Sequence, residues 1–159
     1  MFGRRALALA VCGVVSATLA CGGRAPTSAA PATPTITLTA TDCTADQLGA
    51  LAPEHFAGTL VNKTSYPALF SIQRILDGHD YRELELFIAE QQRLFLANEE
   101  PLNPGPPSFT DRVVITAVDS TQTERFEATL LSGTYGIVCR EQRHPTLWAA
   151  YLIGPLRVP

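Results

Sequence analysis

The residues able to do chemistry are few. The chain carries four cysteines, Cys12, Cys21, Cys43 and Cys139, and three histidines, His55, His79 and His144. Thiolates and imidazoles are the ligands of soft and borderline metals, and thiols outside the cytoplasm pair as disulfides. Each histidine lies near turn-forming residues, and no two share a strand or helix spacing that would hold a metal between them, so they read as surface residues. Glu83, Glu85 and Glu90 could be imagined as an acid–base set, but they fall along a helical stretch whose solvent face carries charge in any case. No Gly-x-Ser-x-Gly elbow occurs, nor a phosphate-cradling glycine loop or a His-Glu-x-x-His helix. The expected catalytic set is therefore empty, and the expectation is a protein that is not an enzyme.

The bulk composition narrows the class. At 159 residues, 46% hydrophobic and 17% charged, the chain has room for one domain plus tails. Its formal charge is −3. Taking away Arg4 and Arg5 leaves 10 basic side chains against 15 acidic ones, or −5. A nucleic-acid partner, which requires a concentrated basic face, is not expected.

The N-terminus reads as an address. Met1 to Arg5 is short and basic, Ala6 to Ala20 is an unbroken run of small and apolar residues, and Ala20 precedes Cys21. These are the n-region, h-region and small-residue cleavage zone of a secretory signal. Fifteen residues at about 1.5 Å rise span about 22 Å, short of the roughly 30 Å bilayer core, so a cleaved signal over residues 1–20 is expected. Thr18-Leu19-Ala20-Cys21, followed by Gly22-Gly23, resembles the lipobox of bacterial lipoproteins, here of an actinobacterial type. The resemblance implies that the Cys21 thiol is acylated with palmitate-like chains and holds the mature protein on the extracytoplasmic face of the cell membrane. Thr18 departs from the pattern, which usually has Leu there. The alternative is ordinary secretion, with Cys21 a stray thiol. Residues 22–35, GGRAPTSAAPATPT, lack periodicity and cannot bury enough surface to offset ordering, which predicts a disordered linker over 21–35. The domain is then 36–159, long enough for a core of its own.

After processing, two thiols remain. Cys43 and Cys139 have 95 residues between them, and an isolated pair outside the cytoplasm points to a disulfide. Closing a loop of that size contributes about 4 to 5 kcal/mol in the chain-entropy view. The competing reading makes Cys139 a metal ligand.

The elements that would position these residues follow from periodicity. Ile36 to Thr41 alternates apolar with β-branched polar residues, as a half-buried strand does. Thr59 to Asn62 and Ala68 to Ile75 predict two antiparallel strands with a turn between them. Asp80-Tyr81-Arg82-Glu83 fits a capping box. Leu84, Phe87, Ile88, Gln91, Leu94 and Phe95 then recur at three- and four-residue spacing, predicting a helix that stops near Asn98. Pro101 to Pro107 reads as a rigid loop. Arg112 to Val118, the alternating stretch around Phe126, Ala128 and Leu130, Thr134 to Cys139, and Leu147 to Val158 predict further strands. The last is interrupted at Gly154-Pro155, where a bulge or an edge position is needed. Six or seven strands with one inserted helix make the expected class mainly β, a sandwich.

A second resemblance rests on Thr41-Asp42 ahead of an Ala57-Gly58-Thr59 turn, on Leu60-Val61-Asn62, on the inserted helix, and above all on Leu131-Ser132-Gly133-Thr134-Tyr135-Gly136-Ile137-Val138-Cys139. Over residues 36–159 these are similar to the cupredoxin-like domains of bacterial lipoproteins, which implies a Greek-key β-sandwich. In cupredoxins two His, one Cys and a weak axial Met hold copper. Carried over, Cys139 takes the thiolate position and His144 approximates one histidine. Where the other histidine belongs the chain has Tyr66-Pro67-Ala68, and its one methionine is Met1, inside the signal. The resemblance therefore implies a scaffold from which the copper ligands are largely missing.

Two readings of function result. The first is a non-catalytic, lipid-anchored cell-envelope domain that binds an extracytoplasmic protein or small ligand and has no cofactor. Trp148 and Tyr151, on opposite faces of the last strand, bear on it: one of them exposed beside the proline-rich loop would suit a protein-binding patch. The alternative is copper binding for electron transfer or metal delivery through Cys139 and His144.

Overall fold

The computed structural model describes residues 33–100 and 105–159. The signal, Cys21 and nearly all of the linker lie outside the described residues, as do Pro101 to Pro104. Eight strands and one helix follow in the order β1 (Thr35–Leu38), β2 (Cys43–Asp46), β3 (His55–Asn62), β4 (Ala68–Ile75), α1 (Tyr81–Ala97), β5 (Thr110–Val118), β6 (Thr123–Thr129), β7 (Gly133–Gln142) and β8 (Trp148–Val158).

The strands form two four-stranded sheets, ordered β2-β1-β3-β6 and β5-β4-β7-β8. The pairing of β1 with β3 is parallel and all others are antiparallel. The chain passes repeatedly from one sheet to the other, and with the inserted helix this strand order makes the domain a cupredoxin-like Greek-key β-sandwich.

Alternation builds the core. In β3, Phe56, Gly58, Leu60 and Asn62 point inward while the residues between them are exposed or half-buried. Ile36 and Leu38 from β1 meet Phe70, Ile72, Tyr135, Ile137 and Leu156 from the facing sheet. Phe56 and Phe126 pack edge to face, with centroids 5.3 Å apart, the arrangement that ring quadrupoles favour.

The second sheet is covered on both faces, which β4 records by burying side chains of either parity. Its outer face is partly roofed by α1. Asp80 caps the helix by accepting from the Glu83 N–H, and Glu83 returns the bond to the Asp80 N–H, as a capping box requires. Asn98 closes the other end in the left-handed conformation, φ 56°. Only Leu84 and Ile88 of the expected apolar stripe are fully buried, packing on Val138 and Ala150. Phe87, Gln91, Leu94 and Phe95 are half-buried, because the helix packs mainly on edge strand β8 and to a lesser extent on β7.

Several expectations need correction. Thr59–Asn62 and Ala68–Ile75 are not a hairpin: they lie in different sheets, and Lys63–Pro67 crosses between them. Turn-forming residues mark a change of direction but not which sheet receives the chain. The Asn62 side chain makes the crossing, with its Nδ2 donating to the Tyr66, Val118 and Asp119 carbonyls and its Oδ1 accepting from the Thr64 N–H. Ala57-Gly58-Thr59 is no turn but the middle of β3, where Gly58 admits the Phe126 ring. The first strand ends at Leu38, where expectation carried it to Thr41, because Thr39 and Asp42 form a turn. That turn leads into β2, a strand the periodicity did not announce, since Cys43 is its one buried residue. Gly154-Pro155 lies in edge strand β8 opposite a register break in β7, as the proline demanded.

Candidate functional site

The end of the sandwich that carries the last turns of β7 is where the chemistry-bearing residues gather. Cys139 and Cys43 are joined there by a disulfide with Cα atoms 6.4 Å apart, linking β7 of one sheet to β2 of the other. Both are buried. In β7, Tyr135, Ile137, Cys139 and Glu141 alternate inward, so Glu141 continues the core-facing row beyond the disulfide and is only 1% exposed.

A buried carboxylate needs a partner, and Arg143 supplies it. Its Nε and Nη2 donate to Glu141 Oε2 at 3.0 and 2.9 Å. Nη2 also donates to the Ala40 carbonyl at 3.0 Å. The guanidinium lies 5.3 Å from the Phe95 ring centre and 5.8 Å from that of Tyr66, within range for cation–π attraction. Tyr151, the β8 partner of Cys139, donates its hydroxyl to the same Ala40 carbonyl at 3.2 Å. Burial first, and the Glu141 charge second, push the Tyr151 phenol above its ordinary pKa. The hydrogen bond to Glu141 holds the Arg143 guanidinium all the more firmly protonated.

These residues do not fit a type 1 copper centre. The sulfur of Cys139 is already bonded to Cys43. Ala68, in the place of a histidine, is a buried methyl opposite Glu141. His144 sits in the exposed β7–β8 turn, its Nδ1 3.1 Å from Thr146 Oγ1. Three strand residues separate Cys139 from the end of β7, about 10 Å of rise, so His144 does not converge on the cysteine. Among the described residues no group of three or more His, Cys, Asp or Glu side chains is arranged to hold a metal.

The remaining candidates are dispersed. His55 is exposed at the start of β3. His79 stacks on Phe109 and lies 2.9 Å from Glu83. Glu83 belongs to the helix cap, Glu85 pairs with Arg82, and Glu90 pairs with Arg93, whose hydrogen bond keeps the Glu90 carboxyl below its usual pKa. They are successive surface pairs and share no reacting atom. Trp148 and Tyr151 do lie on opposite faces of β8, and both are half-buried, so neither is the exposed aromatic that a protein-binding patch there would use.

Two open grooves flank β8. One, of about 520 Å³, runs between β8 and α1 and is lined by Tyr81, Glu85, Gln92 and Tyr151 among others. The other, of about 600 Å³, lies between β8 and residues 45–51. Tyr81 is half-buried in the first, and burial together with the Glu85 charge pushes its phenol up to about 12. Among the described residues no helix is long and apolar enough to cross a membrane.

Glu141 and Arg143 went unnoticed in the sequence. Their signal was available: extending the inward alternation of β7 by one step from Cys139 places a carboxylate in the core, and an arginine stands two residues on.

No protein-family model matches the chain, and no curated protein matches it. Among solved structures it is similar to Na-dithionite-reduced auracyanin from the photosynthetic bacterium Roseiflexus castenholzii. The identity is 15% and the TM-score 0.39, over 79% of this chain and 94% of that one. The two sheets, ordered β2-β1-β3-β6 and β5-β4-β7-β8, define the sandwich.

Proposed function

We propose that the chain is an exported lipoprotein, anchored through Cys21 to the extracytoplasmic face of the cell membrane. Its cupredoxin-like domain serves as a non-catalytic binding module for an envelope protein or small ligand. The observation that carries this reading is the Cys43–Cys139 disulfide: it takes up the thiolate that electron transfer through copper would need, and it belongs to an oxidising compartment. The signal, the lipobox and the linker support export and anchoring. Two acyl chains suffice for stable attachment, at roughly 0.8 kcal/mol per buried CH₂.

Metabolic labelling with radioactive palmitate tests the anchor. Label is expected on the wild-type chain and is lost in Cys21→Ala; label that persists in the variant overturns the assignment. Reproducible hydrolytic or redox turnover by the purified protein, abolished by a point substitution, would overturn the non-catalytic role.

A further inference from the structure

We propose that Arg143 is a latch controlling access to the Cys43–Cys139 disulfide, so that dithiols reduce the bond only when the Arg143 grip on Ala40 is released. The bond lies between buried residues, and the cover on the Cys43 side is thin. Ala40, Thr41 and Asp42, which lead into Cys43, are all exposed. Within this turn the loop is held by the Thr39 N–H donating to the Asp42 carbonyl at 2.8 Å and by Asp42 Oδ1 accepting from the Cys43 N–H at 2.7 Å. What ties the turn to the facing sheet is the Ala40 carbonyl, which accepts from Arg143 at 3.0 Å and from Tyr151 at 3.2 Å.

The donors come from β8, which flanks Cys139, and from the turn just past the end of β7. Tyr151 is the register partner of Cys139, and Arg143 is fixed to Glu141, two residues along the same inward row. One guanidinium thus joins β7, the β1–β2 turn, the Tyr66 crossover and Phe95 of α1. Local opening of a surface turn is governed by few contacts, and here the strongest is a single charge-assisted hydrogen bond.

The redox step is thiol–disulfide exchange. A thiolate of an incoming dithiol attacks one sulfur, the S–S bond breaks, and the displaced cysteine leaves as a thiolate that takes a proton from water. The second thiol of the reagent then closes on the mixed disulfide. Cys43 and Cys139 end as thiols, and the dithiol ends as a cyclic disulfide.

The test is the rate at which dithiothreitol reduces the full chain under native conditions, read by alkylating the released thiols and weighing the protein. Arg143→Met keeps an apolar stem between Tyr66 and Phe95 but cannot donate. It is expected to be reduced about tenfold faster or more, the population change that follows from losing a charge-assisted hydrogen bond. Glu141→Gln/Arg143→Met, which leaves no orphaned carboxylate, is expected to be reduced just as fast. Val118→Ala, a core variant distant in sequence, serves as the control for general loss of stability. Reduction of both latch variants at the wild-type rate overturns the proposal, and so does a rate equal to that of the control at matched unfolding free energy. Should the arginine variants fail to fold, Tyr151→Phe decides: faster reduction supports the latch and an unchanged rate overturns it.

Discussion

A β-carbon on Gly136 would stand 2.7 Å from Leu84 Cδ2, and 2.9 Å from Leu152 Cδ1. The bare backbone of β7 at this position is what lets α1 settle on the second sheet, with Leu84 completely buried. Since β7 also carries Cys139 and Glu141, the seating of the helix and the geometry of the candidate site share one strand.

Gly136→Ala is therefore expected to lift or shift the helix. Both clashing atoms are ends of leucine side chains that can rotate, so a cost of about 1 to 2 kcal/mol, typical of mild overpacking, is expected. Urea unfolding followed by circular dichroism measures it. Stability equal to wild type would show that α1 does not depend on this close approach.

The Glu141–Arg143 pair predicts an asymmetric mutant cycle. Arg143→Met leaves a carboxylate that is 1% exposed without its cation, at a cost of about 3 kcal/mol, the low end for breaking a buried pair because the guanidinium is partly solvated. Glu141→Gln/Arg143→Met removes the orphaned charge and is expected to recover at least half of that loss. Chemical denaturation of wild type, the single variant and the double variant checks the ordering. A double variant weaker than the single one contradicts the account.

The readable features were those written in local sequence. The capping box at Asp80 and Glu83, the helix stop at Asn98 and the span of β4 depend on neighbours in the chain, and periodicity predicted them. The two features that define the site are long-range. Whether Lys63–Pro67 folds into a hairpin or crosses between sheets depends on Asn62 reaching the Val118 and Asp119 carbonyls more than fifty residues away. The brief β2 exists because β1 offers it a free edge and Cys139 a covalent tie. Pairing of Cys43 with Cys139 was legible only through compartment and count. The inward turn of Glu141 needed the β7 register carried one step past the cysteine.

The disulfide makes a countable prediction. Alkylation of the denatured, unreduced protein is expected to label neither Cys43 nor Cys139, and to label both after reduction. Cys43→Ala/Cys139→Ala is expected to lose about 4 to 5 kcal/mol, the chain-entropy value for a loop of this size. Copper(II) added to the oxidised protein is expected to give no intense thiolate-to-copper absorption, and the appearance of such a band would contradict the fit argued from Cys139, Ala68 and His144.

Tyr81 supplies the pH dependence. Its phenol is pushed up from 10.0 to about 12, by burial first and by the neighbouring Glu85 charge second. A raised pKa means that the folded state binds this proton more tightly than the unfolded chain does. The associated stability is fully present below pH 10, declines as the pH rises through 10 to 12, and is gone above that range. Half of the side chain is solvated, which keeps the effect small. Ultraviolet titration is expected to show Tyr81 ionising about two pH units later than an exposed phenol, and Tyr81→Phe should reduce the late-ionising absorbance by one tyrosine, leaving that of Tyr151, which is also raised. The variant should also flatten the fall in stability between pH 10 and 12. If Tyr81→Phe leaves the late-ionising absorbance undiminished, the half-buried setting of Tyr81 beside Glu85 does not control its proton.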